Sequence, residues 1–258
     1  MAKVVAEDKV NYIPMVDRAI DIIELFYEQG NSLGVSEIAA RLSLPKANVY
    51  RILATMEKRG YIIQDGKTDK YVLGHSFIKI GEFVRGKVRI NDIALPFMEK
   101  LADETGETAY LCKLFNNEAL VINVVNGEPS SLNSMVTPSI PLYCSALGRC
   151  LMVDFSDRQI DQYIKENGLQ KRTIRTVDAK DSLLEEIAKI NEEGVGIETE
   201  EYEYGMMCIA GPIRDRQGKV IASMSVSGPT SRIQHKGEEG IIEKVKAACE
   251  AIQNTISF

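Results

Sequence analysis

The hydrophobic pattern of the N-terminal part predicts three helices followed by a short hairpin. Apolar side chains recur at helical spacing in 13–29, in a short segment that Ser36 is expected to cap, and in 46–59. Two brief apolar runs, 61–63 and 71–73, surround an Asp-Gly pair, which supplies the positive φ angles of a hairpin tip. Three helices followed by a hairpin are the element order of a winged helix-turn-helix.

The rest of the chain predicts a linker helix over 75–90 and then a mixed domain. Helices are expected at 92–105, 145–155, 157–166, 180–193 and 239–255, strands at 108–115, 118–126, 195–199, 207–214 and 219–227, and a Gly/Pro/Ser-rich loop at 127–141. Because these elements do not alternate as β-α-β units, we predict an α+β fold on a mainly antiparallel sheet. The predicted domains are therefore 12–74, the linker 75–90, and 91–258.

Composition and charge favour two domains with different tasks. With 258 residues, 45% of them hydrophobic and 26% charged, the chain is typical of folded proteins. It has neither an apolar run long enough to span a membrane nor an apolar stretch in residues 1–8 that would start a signal peptide, so we expect a cytoplasmic protein without membrane contact. Residues 1–90 contain 14 Lys and Arg against 11 Asp and Glu, a net charge of +3, although the whole chain has −6. A site-specific DNA-binding protein can confine its positive charge to one face in this way.

The second helix of a helix-turn-helix pair lies in the major groove of DNA, with its N-terminal residues at the base edges. The residues predicted to contact DNA are Lys46, Ala47, Asn48, Tyr50, Arg51 and Lys58 on this helix, and Lys67 and Lys70 on the wing. Arg and Asn bond bidentately to guanine and adenine, whereas the lysines are suited to phosphates. The alternative is an ordinary solvated helix face. The short helix, the corner at 43–45 and the hairpin occur together and in order, which favours DNA binding.

Residues 35–61 closely resemble the helix-turn-helix of the IclR family of bacterial transcription regulators. This segment begins with Val-Ser-Glu-Ile-Ala-Ala-Arg-Leu and ends with Glu-Lys-Arg-Gly-Tyr. Further segments that resemble the family are 71–74 at the end of the wing, and 141–151, 205–213 and 223–229 in the second domain, so that the resemblance spans about 12–255. It implies a winged helix joined by a linker helix to a GAF-like effector domain. It also implies dimers, or tetramers built as dimers of dimers, on palindromic double-stranded operators, most often repressing a catabolic operon.

A small-molecule effector, with a carboxylic acid as our expectation, is predicted to bind in the second domain. The residues expected at this site are Ser145, Ala146, Leu147, Glu198, Met206, Cys208, Ser225 and Ser227. A helix N-terminus near Ser145 attracts anions, and Ser225 and Ser227 alternate along one strand, so they share a face. The resemblance implies the pocket positions of Ala146, Leu147, Cys208 and Glu198. The alternatives are serines that face outward or bond to the backbone, and a cysteine that is a small buried apolar residue.

The sequence departs from the family pattern at three positions. Tyr143 replaces the usual histidine and Arg149 the usual lysine, which bears on the shape and polarity of the pocket. Ala47 stands where many members have serine or threonine, which bears on the operator sequence.

An enzyme is a second hypothesis, which the sequence disfavours. It has no Gly-x-Ser-x-Gly elbow, no phosphate-binding glycine loop and no cluster with metal-ligand spacing, and its two histidines are His75 and His235. We therefore expect no catalytic residue, cofactor or metal. In a third hypothesis the second domain senses redox state or a metal through the five cysteines, but an odd, scattered set is typical of reduced thiols.

Overall fold

The structure is a computed structural model that describes residues 13–30, 32–85, 89–127 and 138–256. These residues form two units, which divide between Val84 and Arg85. The N-terminal residues that argue against a signal peptide, and most of the predicted loop at 127–141, lie outside the described residues. None of the described helices is both long and apolar enough to cross a membrane.

The first unit has the predicted three helices and hairpin. Its elements are α1 (Pro14–Gln29), α2 (Val35–Arg41), α3 (Lys46–Lys58), β1 (Ile62–Gln64), β2 (Tyr71–Leu73) and α4 (Ser76–Arg85), with β1 and β2 antiparallel. Pro14 occupies the first helical position of α1, and Gly30 ends that helix at a φ of 61°. One core holds the unit together, with Ile22, Ile38, Val49 and Leu53 fully buried.

The start of α2 differs from the prediction. The capping position is Gly34 and not Ser36, because the helix begins at Val35 and Ser36 lies inside its first turn. The carboxylate of Glu37 accepts the N–H of Gly34 at 2.7 Å, which satisfies one of the N–H groups that a helix N-terminus leaves unpaired. The expectation that Ser36 caps this helix is therefore wrong.

The second unit is an antiparallel sheet between two layers of helices. Its elements are α5 (Arg89–Thr105), β3 (Thr108–Phe115), β4 (Glu118–Val125), β5 (Ser139–Pro141), α6 (Ala146–Met152), α7 (Asp157–Asn167), α8 (Lys180–Glu193), β6 (Gly196–Thr199), β7 (Met206–Arg214), β8 (Val220–Pro229), α9 (Thr230–Lys236) and α10 (Glu238–Ile256). The strand order is β5-β4-β3-β8-β7-β6, and every neighbouring pair is antiparallel. The predicted α+β fold on an antiparallel sheet is confirmed.

The two faces of this sheet have different cores. Met224 and Val226 of β8 belong to the apolar core beneath α5 and α10. The opposite face packs against α6, α7 and α8. Because side chains alternate along a strand, Ser223, Ser225 and Ser227 share the face that α6 covers. Two small elements were not predicted: β5 lies at the end of the predicted loop, and α9 directly follows β8.

Candidate functional site

Helix α3 divides its side chains between the core and the surface. Val49, Ile52 and Leu53 are buried, and the predicted DNA-contacting residues lie on the other face: Lys46, Ala47, Tyr50, Arg51 and Lys58 are exposed and Asn48 is half-buried. Tyr50 is 58% exposed. Ser43, at a φ of 54°, turns the chain between α2 and α3. This arrangement leaves the N-terminal face of α3 open to a duplex.

The two wing lysines differ in their surroundings. Lys67 is exposed on the turn between β1 and β2, where the Asp65 carboxylate accepts its backbone N–H at 2.8 Å. The ammonium of Lys70 lies 3.1 Å from the Glu37 carboxylate of α2. The hydrogen bond from Gly34, together with Lys70, lowers the pKa of Glu37. The ammonium of Lys70 is therefore already engaged in an ion pair within the first unit.

The second unit contains a small solvent-connected cavity. It is lined by Tyr110, Ile140, Ser145, Leu147, Glu198, Tyr202, Glu203, Met206, Cys208 and Ser227. Six of the eight predicted effector residues are among them. The other two, Ala146 and Ser225, are buried outside the lining, and Ser225 lies beside the Cys208 thiol. Sequence reasoning missed Tyr110, Ile140, Tyr202 and Glu203, whose places depend on tertiary structure.

The N-terminus of α6 is fixed by two close contacts. The hydroxyl of Ser145 accepts the N–H of Gly148 at 3.0 Å and donates to the carbonyl of Pro141 at 2.8 Å. A Cβ at Gly148 would lie 2.3 Å from the Cα of Leu142, closer than any real side chain tolerates. Glycine is therefore required where α6 crosses this segment. Because Ser145 already caps the helix, anion binding at its N-terminus remains a prediction.

Glu198 is the buried carboxyl group of the cavity, with 3% of the residue exposed. Its Oε1 accepts the backbone N–H groups of Glu201 at 2.5 Å and Tyr202 at 3.2 Å. Burial raises the pKa of Glu198 to about 7, although these hydrogen bonds oppose the shift. Near neutral pH the carboxyl group is thus present both as a hydrogen-bond donor and as an acceptor. The residues that line the cavity include two carboxyl groups, Glu198 and Glu203, but no lysine, arginine or histidine.

Glu198→Gln is expected to stabilise the protein at pH 8 more than at pH 5. The pKa of Glu198 rises from an ordinary value of 4.5 to about 7 on folding, so the folded state retains a proton that the unfolded state releases between these values. Stability is consequently lost as the pH rises through this window, by roughly 3 kcal/mol in total. The glutamine removes this loss. Urea unfolding of both proteins at pH 5 and pH 8 measures the effect, and an equal difference at the two pH values would contradict the assignment.

Arg149 and Tyr143, two of the departures from the family pattern, lie behind the cavity wall. The Arg149 guanidinium is fully buried and donates to both carboxylate oxygens of Glu201, at 3.0 and 2.7 Å, and to the carbonyl of Ile197 at 3.1 Å. The Tyr143 hydroxyl donates to the carbonyl of Gln170 at 2.5 Å. Neither residue is among those that line the cavity. Arg149 ties α6 to β6 and to Glu201, and Tyr143 ties the segment before α6 to Gln170.

The five thiols are all buried. Burial raises the pKa of Cys144, Cys208 and Cys249 to about 12, which leaves few thiolates to react. Within the described residues, no group of three or more His, Cys, Asp or Glu side chains is placed to hold a metal ion. These surroundings are those of inert thiols and give no support to the redox-sensor hypothesis.

Two family profiles match this chain and together cover nearly all of it. The IclR helix-turn-helix profile matches residues 15–66, and the profile described as "Bacterial transcriptional regulator IclR C-terminal" matches residues 83–254. The chain belongs to the IclR family. It is accordingly a DNA-binding transcriptional regulator with an IclR effector domain.

Two IclR-family relatives from Escherichia coli K12 match along most of their length. The HTH-type transcriptional regulator XynR is 27% identical over 247 residues, which are 95% of this chain and 98% of XynR. The DNA-binding transcriptional repressor YiaJ is 28% identical over 245 residues, which are 93% of this chain and 87% of YiaJ.

Solved structures of IclR proteins share the fold. The Thermotoga maritima IclR structure has a TM-score of 0.72 at 27% identity and covers 96% of this chain and 100% of its own. An IclR homologue from Microbacterium hydrocarbonoxydans, solved in complex with 4-hydroxybenzoate, has a TM-score of 0.78 at 23% identity, covering 94% of this chain and 98% of its own.

Proposed function

We propose that this IclR-family regulator is a repressor whose affinity for its operator is changed by a small organic acid bound in the cavity of the second unit. The lining of the cavity carries the proposal, because it joins apolar walls to a few convergent polar groups, as ligand sites do. The assigned tasks are DNA binding for 12–74, a linker helix for 75–90, and effector binding for 91–258. The regulated genes are proposed to form a catabolic operon, and the place of action is the cytoplasm.

A carboxylic acid is compatible with the cavity when Glu198 is protonated. The neutral carboxyl group then donates a hydrogen bond, as do the hydroxyls of Ser145 and Ser227 if they turn towards a ligand. A bound anion near Glu198 further favours the protonated form. Binding of an anionic effector is therefore coupled to proton uptake, and its affinity is expected to increase as the pH falls through about 7.

A homodimer, or a tetramer formed from two dimers, is proposed to bind a palindromic double-stranded operator. The support comes from apolar side chains that the first unit leaves exposed on α1 and α4: Val16, Ile20, Tyr27, Ile78 and Val84. Exposed apolar side chains are typical of interfaces where they cluster. A two-fold dimer presents two copies of α3, which matches two half-sites of opposite orientation.

The proposal is tested in two steps. A thermal-shift screen of carboxylic acids, with 4-hydroxybenzoate and sugar acids among them, is expected to find a compound that raises Tm, more strongly at pH 6 than at pH 8. Gel shifts with a duplex that the wild-type protein selects from random sequence then measure the operator affinity with and without that compound. A change of about 5- to 150-fold is expected. A compound that binds in the cavity and leaves DNA affinity unchanged would remove the proposed regulatory role.

A further inference from the structure

One wall of the cavity is a turn that follows β6. We define the wall turn as residues 200–204, of which Tyr202 and Glu203 line the cavity. Glu200 begins the turn in the left-handed region, at a φ of 59°. From the cavity side the turn is held by Glu198, which accepts the N–H groups of Glu201 and Tyr202.

A segment between α7 and α8 holds the same turn from its other side. We define the clamp as residues 172–177. The hydroxyl of Thr173 donates to the carbonyl of Glu200 at 2.6 Å, and that of Thr176 donates to the carbonyl of Glu201 at 2.7 Å. The Nε of Arg172 donates to the carbonyl of Tyr202 at 3.1 Å. Three successive carbonyl groups of the wall turn therefore have partners in the clamp.

Thr176 is the centre of these contacts. Its hydroxyl also accepts the backbone N–H groups of Arg172 at 3.1 Å and Thr173 at 2.8 Å, so that it organises the clamp while it bonds to the wall turn. Thr173 and Thr176 are 4% and 5% exposed, although they lie outside any helix or strand. The guanidinium of Arg172 in addition lies over the Tyr202 ring, 4.3 Å from its centroid.

We propose that Arg172, Thr173 and Thr176 are positioning residues for effector binding, which hold the wall turn against the cavity although none of them lines it. The proposal rests on the effector role proposed above. Tyr202 is contacted by the clamp through its backbone carbonyl and its ring, and the same residue lines the cavity. Loosening the clamp consequently displaces the wall turn and widens the access of solvent to the cavity.

Cys208 reports this opening without any effector. It lines the cavity and is 7% exposed, whereas Cys249 is 4% exposed and lies on the other side of the sheet, where α10 passes Gly211. A buried thiol reacts with iodoacetamide only after it is exposed and can ionise. The ratio of the two labelling rates therefore separates opening of the wall turn from unfolding of the whole unit.

The test is native labelling of the full chain with iodoacetamide, followed by peptide mass spectrometry. In Thr176→Val, which keeps the shape but loses the hydroxyl and its hydrogen bonds, Cys208 is expected to react about 10- to 100-fold faster, with Cys249 unchanged. Thr176→Ser restores the hydroxyl and is expected to return the rate towards that of the wild type. Arg172→Ala, which changes an exposed side chain and keeps the fold, is expected to give an increase of about 3- to 10-fold.

The matched control is Arg175→Ala, because Arg175 is an exposed arginine of the same segment and is expected to leave both rates unchanged. The proposal would be overturned if Cys208 were labelled at the wild-type rate in both Thr176→Val and Arg172→Ala. An equal acceleration at Cys208 and Cys249 would also overturn it, because the clamp would then stabilise the unit as a whole. A failed effector search changes none of these readings, since the labelling uses neither effector nor DNA.

Discussion

Arg149→Met is expected to lower the free energy of unfolding of the second unit by about 3–5 kcal/mol. The guanidinium is fully buried, and its bidentate partner Glu201 has a side chain that is 11% exposed. Removal of the arginine leaves a carboxylate in a site of low polarity with its counter-charge gone. It also frees the Ile197 carbonyl and unties α6 from the segment that follows β6. Urea unfolding of the full chain followed by far-UV circular dichroism measures the change.

Two further variants separate charge from packing at this site. The double variant Arg149→Met with Glu201→Leu removes both charges and is expected to recover most of the lost stability. Arg149→Lys keeps the charge but not the bidentate geometry, so an intermediate stability is expected. If Arg149→Met alone unfolded at the same urea concentration as the wild type, the pair would have no structural importance.

Arg51→Ala is expected to abolish specific DNA binding while the fold remains intact. Arg51 is exposed on α3, and its backbone carbonyl, which accepts the Thr55 hydroxyl, is unaffected by the substitution. A bidentate contact to guanine contributes about 1–3 kcal/mol, and a dimer on two half-sites loses it twice, a decrease in affinity of roughly 30-fold or more. Gel-shift titration with a duplex selected by the wild-type protein provides the measurement.

The control for this experiment is Arg158→Ala, which deletes one exposed positive charge from α7 in the second unit. It is expected to retain wild-type affinity. Near-normal binding by Arg51→Ala would show that α3 is not the recognition helix. If both variants lost affinity equally, the loss would reflect net charge and not a base contact.

The sequence predicted an element correctly wherever its apolar residues recur with one regular spacing along the whole element. In α3 the core positions Val49, Ile52 and Leu53 recur at helical spacing, and the exposed face follows from them. The start of α2 was misplaced because Gly34 and Ser36 lie two positions apart and either residue type is common at a helix start. The strand β5 has three residues and ends in proline, and α9 has seven residues. Both were missed because neither is long enough to show a periodic pattern of apolar residues.

The lining of the cavity could be predicted only in part, because some of its residues are positioned by contacts with residues far away in the sequence. Cys208, Ser227 and Glu198 lie on neighbouring strands whose side chains alternate regularly between the two faces of the sheet. Their common face could therefore be predicted from this alternation and from the family resemblance. Tyr202 and Glu203 belong to a turn, in which apolar and polar residues follow no regular spacing. Their position depends on contacts with residues of the clamp, such as the bond between Arg172 and Tyr202, which joins residues 30 positions apart. No local signal marks such a contact.

The crossing of α6 over Leu142 also bears on how this regulator can be given a new specificity. Since Gly148 brings backbone against backbone there, with 2.3 Å left for a Cβ, any side chain in its place would displace the start of α6, which carries the lining residue Leu147. Tyr202, Glu203 and Met206 also line the cavity, and their side chains can be replaced without such a displacement. Combinatorial libraries for biosensor engineering therefore belong at these three positions, with the glycine kept constant.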